Sequence, residues 1–365
     1  MVLSLGSIDW RGFLGRPPLI ASSVETLRAV VLERILITGA GGSIGSRLAR
    51  RLVDGGAQDL VLLDSSESHL MALQSELAGK GPGVHFVLGS VGDRPLLDEI
   101  FGNSRPTLLF HAAAYKHVPL LEQHPFAALE NNVFGSETLI AAARDSGVRM
   151  VLLSTDKAVE PASMLGASKR IAELIALAAE GTVVRLGNVL ASSGSVAEIF
   201  VAQIAAGGPI TVTDPSARRY FLTVDEAADL LIAAAARAAR GQLFVPALST
   251  QHFIADLARF MAHQLAPMQT IGIEFTSPRP GDKESEKLWG SSEHGSGRSV
   301  DGLFTIESPR VENGLLRRAL SGLRDAQEAR DLQSVVQCLR MVVPDFTPSA
   351  SLLRLAQRPL ARATP

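Results

Sequence analysis

Residues 153–170 read Leu-Ser-Thr-Asp-Lys-Ala-Val-Glu-Pro-Ala-Ser-Met-Leu-Gly-Ala-Ser-Lys-Arg, and their spacing singles out Thr155, Asp156, Lys157 and Lys169 as groups that can handle protons at one site. Thr155, Asp156 and Lys157 follow one another directly, and Lys169 comes twelve residues after Lys157. A hydroxyl, a carboxyl and an amine at the mouth of a strand can hold and pass protons at a bound molecule. An amine acts as a base only when its pKa falls from about 10.4 toward neutrality, through burial or a neighbouring cation. Adjacent side chains on an extended chain point to opposite faces, so Asp156 and Lys157 are expected to pair poorly with each other. Leu165, four residues ahead of Lys169, has no proton to give or take.

Such groups work only where a scaffold presents them beside a ligand. Residues 34–38 (Arg-Ile-Leu-Ile-Thr) form a β-prone run that opens directly into residues 39–45 (Gly-Ala-Gly-Gly-Ser-Ile-Gly). A helical pattern follows through Leu48, Leu52 and Val53. Strand, glycine turn and helix in this order form a dinucleotide site. Glycine lets the backbone turn sharply and approach a pyrophosphate resting on the N–H groups at the helix start. Gly39, Gly42, Ser43, Ile44 and Gly45 are the candidate contacts. A second strand, Asp59–Leu63, ends in Asp64, where a carboxylate can accept hydrogen bonds from the adenosine ribose hydroxyls. Ser65 and Ser66 follow, with no Arg beside them for a 2′-phosphate, which favours NAD and leaves NADP possible.

The alternation continues with strand-like runs at Val84–Leu88, Thr107–His111 and Arg149–Ser154, separated by amphipathic helical stretches. This predicts an α/β fold: a Rossmann-type doubly wound parallel sheet with a smaller C-terminal α/β substrate-binding domain. Loops at strand carboxyl ends line the ligand crevice of such a sheet. That places Ala112, Ala113, Ala114, Lys116 and His117, after the fourth strand, and Thr155–Lys157, after the fifth, in reach of ligand.

The chain has 365 residues, a net charge of −2 and 46% apolar residues, enough for a sizeable core. No long basic run marks a nucleic-acid or membrane-surface partner. Cys338 is the single cysteine, which excludes a disulfide framework and a cysteine-based zinc site. No metal ligand set is expected. The most apolar stretch, near Ala227–Ala239, is broken by Asp229 and Arg237, and Asp9, Trp10 and Arg11 stand where a signal peptide needs an apolar core. A cytoplasmic protein without membrane insertion is the expectation.

Residues 14–18, 38–45, 115–119, 130–135, 154–170, 185–190, 193–196, 219–221, 279–283 and 343–349 together resemble the extended short-chain dehydrogenases/reductases. Within them the chain is most similar to the UDP-N-acetylglucosamine 4,6-dehydratases of polysaccharide biosynthesis, of the capsule and flagellin-glycan type. That resemblance implies a lyase of surface-glycan synthesis. Oxidation at sugar C4 with NAD acidifies C5, water is lost across C5 and C6, and the hydride returns to C6. It implies that Asp156 is the acid to the leaving C6 hydroxyl and Lys157 the base at C5. Lys169 would anchor the nicotinamide ribose, and Thr155 would hydrogen-bond the C4 oxygen. Ser90, Val91 and Asn132 join the implied cofactor contacts. Members of the family carry Tyr or Met where Leu165 stands, and the chain resembles the tyrosine-less branch without that branch's membrane part. Losing a general base is worth about 10²–10⁴-fold, so turnover can survive. A UDP-sugar epimerase or dehydrogenase, and a non-catalytic NAD- and UDP-sugar-binding homologue, stay open beside the dehydratase.

The nucleotide-sugar is expected after Gly187. Asn188 and the backbone of Ser195 and Val196 suit a diphosphate, and Arg219 and Arg279 offer planar forks to phosphate, with Lys283 as a further charge. Lys116, His117 and Leu165 would also touch the substrate. Ala255–Gln264 reads as a helix, Ile273–Phe275 as a strand, Gly290–Arg298 as a mobile linker, and Gln327–Met341 as one amphipathic helix with an apolar stripe suited to core or oligomer contact. The expected organisation is an N-terminal arm (1–32), an NAD-binding domain (33–187), a mainly substrate-binding region with segments returning to the sheet (188–290), and a linker with a C-terminal helical segment (291–365). The arm, with Trp10, Phe13 and Leu14, is a candidate contact in a homo-oligomer.

Overall fold

Short runs of Ile, Leu and Val that bury both faces favour a covered parallel sheet, and that is what the chain builds. The computed structural model describes residues 4–20, 24–80, 83–237 and 240–357. Its main sheet holds β1 (Ile35–Thr38), β2 (Leu60–Asp64), β3 (Val84–Leu88), β4 (Leu108–His111), β5 (Arg149–Thr155), β6 (Thr182–Leu186), β7 (Leu243–Pro246), β8 (His294–Gly295) and β9 (Leu303–Glu307). The strand order is β8-β9-β7-β6-β5-β4-β1-β2-β3. Strands β1 to β7 pair in parallel, while β9 pairs antiparallel with both β7 and β8. The winding reverses between β1 and β4, with Thr38 level with His111, so the glycine turn and the Ala112–Ala114 loop open side by side. This is the Rossmann-type doubly wound fold, and its ligand crevice lies at that reversal.

Helices Ser43–Asp54 and Val224–Ala236 join the apolar core on one face of the sheet. Helices Ser136–Asp145, Met164–Ala178, Asn313–Glu328 and Leu332–Val342 join the core on the other. A smaller lobe pairs strand Ile210–Val212 with Ile273–Phe275 in parallel, and buries helices Val196–Ala205 and Ile254–Leu265 against each other around Phe200, Leu257 and Met261. No helix among the described residues is long and apolar enough to cross a membrane.

Two stretches depart from the pattern in the sequence. Gln327–Met341 is two helices, because Arg330 adopts a left-handed φ of 55° and Asp331 caps the next helix through Gln333 and Ser334. Its stripe of Leu332, Val335, Val336 and Leu339 is core. Gly290–Arg298 is pinned where a mobile linker was expected: Glu293 is buried on Arg185, and His294–Gly295 enters the main sheet as β8. The arm, a candidate contact in a homo-oligomer, packs on its own chain. Phe13 packs on Phe221, Phe260 and His252 with ring centroids 5.8, 5.4 and 5.0 Å away, and Arg16 pairs with Glu226 at 2.5 Å.

Candidate active site

The glycine turn leaves room for backbone alone. Gly39 has a φ of +69°, and a Cβ there would stand 2.6 Å from the Ala113 nitrogen. At Gly45 a Cβ would strike the Gly39 carbonyl, so strand, turn and helix can close up only without side chains. Asp64 stiffens the turn: Oδ2 accepts from Gly41 N–H at 2.8 Å and Oδ1 from Ser66 N–H at 2.8 Å. Ser43 Oγ accepts from Ser193 N–H at 2.9 Å, which ties the loop of the smaller lobe to the start of the Ser43–Asp54 helix. Ile44, Ala112, Ala113 and Ala114 line the crevice half-buried, Ser65 and Ser90 are exposed, and Val91 is buried against Gly135.

A π-helix, Leu129–Gly135, carries Asn132. Its amide grips the main chain of Tyr115 from both ends, accepting from N–H at 2.8 Å and donating to the carbonyl at 3.0 Å, and donates to Ser168 Oγ at 3.2 Å. Asn132 therefore fixes the loop after β4 to the Met164–Ala178 helix. His111 spans Thr38 Oγ1 at 2.8 Å and Ser136 Oγ at 2.9 Å. Burial, helped by the charge of Lys169, pushes His111 down to about 3, so it is neutral. Lys169 is itself buried, and burial brings it down to about 8 against the pull of Glu173. Among the described residues no acceptor hydrogen-bonds its ammonium. A bare glycine cradle, a carboxylate at the end of the second strand and a buried lysine whose ammonium has no acceptor among the described residues fit a dinucleotide with polar ribose atoms to offer.

At the end of β5 the chain turns at once into a 3-10 turn, Asp156–Ala158, with Thr155 as its cap. That turn changes the geometry expected of an extended chain, and Lys157 Nζ folds back to Asp156 Oδ1 at 3.1 Å. Thr155 Oγ1 donates to the same oxygen at 3.0 Å, and Lys157 Nζ also donates to Asn188 Oδ1 at 2.9 Å. Asp156 is fully buried, and no donor among the described residues reaches its Oδ2. Burial pushes its carboxyl above the usual range; Lys157 opposes this and Glu286 adds to it. For Lys157 the direction is the reverse of that expected for a base. Burial works to lower it, but Asp156 and Glu286 outweigh burial and hold it up as an ammonium.

Glu286 is absent from the sequence-derived candidates. Its Oε1 lies 3.6 Å from Lys157 Nζ and its Oε2 3.1 Å from Lys283 Nζ, the latter an ion-pair contact rather than an aligned hydrogen bond. No local signal marks it, because its partner Lys157 stands far upstream. Equally unmarked is the buried network behind the site. Arg185 forks to Glu173 at 2.8 and 2.8 Å and to Glu293 at 2.6 and 2.9 Å, and Ser154 Oγ donates to Glu173 at 2.6 Å.

The phosphate-gripping candidates are placed in different settings. Arg219 is buried and donates to the main-chain carbonyls of Arg218 at 2.7 Å, Lys283 at 2.7 Å and Glu284 at 3.0 Å, so it fastens this segment where a free fork was expected. Lys283 Nζ donates to the Val159 carbonyl at 2.7 Å, and Arg279 pairs with Asp282 at 2.8 Å on the surface. The His117 ring packs on Gly194. Lys116 and His117 lie exposed at the mouth of the crevice, and partial desolvation there lowers both. Ser195 stands at the N-terminus of the Val196–Ala205 helix, its buried hydroxyl without a hydrogen-bond partner among the described residues, and Leu165 is buried in the core beneath the crevice.

Residues 35–308 match the family described as polysaccharide biosynthesis protein. The chain belongs to that family. It is 39% identical over 321 residues to the probable polysaccharide biosynthesis protein EpsC of Bacillus subtilis (strain 168), covering 82% of this chain and 54% of that protein. It is 37% identical over 304 residues to the capsular polysaccharide biosynthesis protein CapD of Staphylococcus aureus, covering 80% and 51%. The chain thus spans about half the length of these two relatives. A UDP-glucose 4-epimerase of Rickettsia rickettsii (strain Sheila Smith) is 32% identical over 279 residues, covering 72% and 79%. Among solved structures, Pen from Bacillus thuringiensis superposes with a TM-score of 0.69 at 29% identity, covering 77% of this chain and 88% of that one. The DesIV double mutant (dTDP-glucose 4,6-dehydratase) from Streptomyces venezuelae shares the fold, with a TM-score of 0.62 at 23% identity over 70% and 88%. The fold is that of the extended short-chain dehydrogenases/reductases.

Proposed function

We propose that the protein is a nucleotide-sugar 4,6-dehydratase that converts UDP-N-acetylglucosamine to the UDP-4-keto-6-deoxy sugar for surface polysaccharide or glycoconjugate synthesis. The observation that carries this is the pairing of buried Asp156 with half-buried Lys157 at the mouth of β5, over the crevice where the glycine turn opens. A carboxyl that burial pushes toward its protonated form, set beside a lysine, suits an elimination, which needs an acid at one carbon and a base at the next.

NAD fits the cradle of Gly39, Gly42, Ser43, Ile44 and Gly45, with Asp64 toward the adenosine ribose and Lys169 toward the nicotinamide ribose. When bound it supplies a reversible hydride acceptor. Thr155 Oγ1 holds the C4 oxygen and links it to Asp156. The C4 hydroxyl loses its proton through Thr155 Oγ1 to solvent as its hydride leaves. Lys157, its ammonium proton released to solvent, takes the C5 proton while Asp156 protonates the C6 hydroxyl, which leaves as water. Lys157 then returns a proton to C5 as the hydride comes back to C6, and solvent reprotonates Asp156. Lys116, Ser195, Val196, Arg279 and Lys283 would hold the UDP, and Arg219 would keep Lys283 in place.

Incubating the purified protein with NAD and UDP-N-acetylglucosamine should yield a product lighter by one water in the mass spectrum. An unchanged mass with this sugar nucleotide and with its C4 epimer would sink the reading. The likeness to the Rickettsia 4-epimerase favours a second one, epimerisation at C4. It would show as unchanged mass with altered sugar stereochemistry by proton NMR.

A further inference from the structure

Glu122 is a buried acid that the chemistry above leaves unused. It stands in the short helix Val118–Gln123, which begins directly after Lys116 and His117 on the bank of the crevice that follows β4. A buried carboxyl group is costly unless its oxygens find donors, and these two oxygens reach different parts of the chain. Oε1 accepts from Met164 N–H at 2.8 Å, and Oε2 accepts from the Ser349 hydroxyl.

Met164 opens the helix Met164–Ala178, which carries Leu165 and Lys169. The first N–H groups of a helix have no partner within it. Ser163 Oγ takes Gly166 N–H at 3.2 Å and Glu122 takes Met164 N–H, so a residue from another element fixes where this helix starts. Lys169 follows five residues later, about one and a half turns on. On the outer side, Ser349 closes a run in which Thr347 N–H donates to the Pro161 carbonyl at 2.9 Å. Gly281 is pressed against the same place. With a φ of +81°, it would set a Cβ 2.8 Å from Ser163 Cβ and 3.3 Å from Glu122 Cδ. The bank after β4, the start of the Lys169 helix, the segment from Arg279 to Lys283 and residues 347–349 therefore meet at one carboxyl group.

On the NAD reading above, in which Lys169 faces the nicotinamide ribose, we infer that Glu122, held by Ser349, is the positioning residue that sets Lys169 against that end of the cofactor. Glu122 touches no ligand itself. It acts through the first turn of the helix, while Asn132, on Ser168 Oγ at 3.2 Å, ties the next turn.

Calorimetry on the full chain with two probes tests this. NAD carries the nicotinamide ribose, whereas ADP fills the glycine cradle alone. Glu122→Ala should weaken NAD at least about tenfold and leave ADP within about twofold of wild type. Glu122→Gln, whose amide can still accept from Met164 N–H and donate to Ser349 Oγ, should stay within about threefold of wild type for both probes. Ser349→Ala should weaken NAD alone, by at least about threefold, and carries the test if Glu122→Ala does not fold. Equal weakening of NAD and ADP overturns the inference, as does NAD affinity unchanged in both alanine variants. If the wild type binds neither probe, the cofactor reading fails by itself, and hydrogen exchange at the Met164 amide still decides the role of Glu122. That exchange should be at least about tenfold faster in Glu122→Ala than in wild type, and an unchanged rate overturns the inference.

Discussion

Substituting Glu293 by Gln tests whether the ionic network behind the site holds the fold together. Glu293 accepts from both terminal nitrogens of Arg185 at 2.6 and 2.9 Å, from Ser308 Oγ at 2.8 Å and from Gly290 N–H at 2.9 Å. Burial works to raise its pKa, but the Arg185 hydrogen bonds and charge, with Arg170 behind them, outweigh it and bring it from 4.5 down to about 2. The side chain is 4% exposed, so solvent screening does not discount the effect. A fall of 2.5 units at about 1.36 kcal/mol each makes the ionised form worth about 3 kcal/mol to the folded state. Because the folded-state pKa is depressed, this stability is fully present above pH 4.5 and is lost as pH falls toward 2. Gln mimics the protonated acid. Urea unfolding followed by circular dichroism should therefore place Glu293→Gln about 3 kcal/mol below wild type at pH 7, a gap that narrows to about 1 kcal/mol at pH 3. A gap of equal size at both pH values, or one below about 0.5 kcal/mol at pH 7, would refute the linkage.

Lys169→Met should raise the Tm of the cofactor-free protein while weakening NAD binding measured by calorimetry. Burial lowers Lys169 from 10.5 to about 8, so the folded chain bears a cost of about 3 kcal/mol below pH 8 that fades between pH 8 and 10.5. A lower Tm without cofactor would contradict this. Phe13→Ala should cost about 3–5 kcal/mol in chemical denaturation, because the ring is buried among Phe221, Phe260 and His252. A loss below about 1 kcal/mol would show that the arm is not part of the smaller lobe's core.

The first five strands were legible to within a residue or two at each end, since each is a continuous apolar run bounded by polar or glycine residues. The glycine turn was legible for a similar reason: its requirement is local, a backbone with no room for Cβ at Gly39 and Gly45. The Asp156–Lys157 contact was not. It depends on a 3-10 turn beginning directly at the end of β5, and strand periodicity carried one residue too far makes the two side chains diverge. The Gly290–Arg298 stretch has the composition of a linker, and only Arg185, 108 residues before Glu293, turns it into an anchor.

By itself the sequence determined the scaffold and the inventory: a doubly wound sheet, a dinucleotide cradle, and an acid, an amine and a hydroxyl in succession at a strand end. These follow from local rules of periodicity, turn chemistry and side-chain type. Tertiary structure alone decided the charge state of that inventory. A pKa depends on which groups are buried together: Glu286 acts on both Asp156 and Lys157, Arg219 acts on Lys157, and Lys283 acts on Glu286, all from far along the chain. Coulombic terms act through space, so no spacing along the chain announces them.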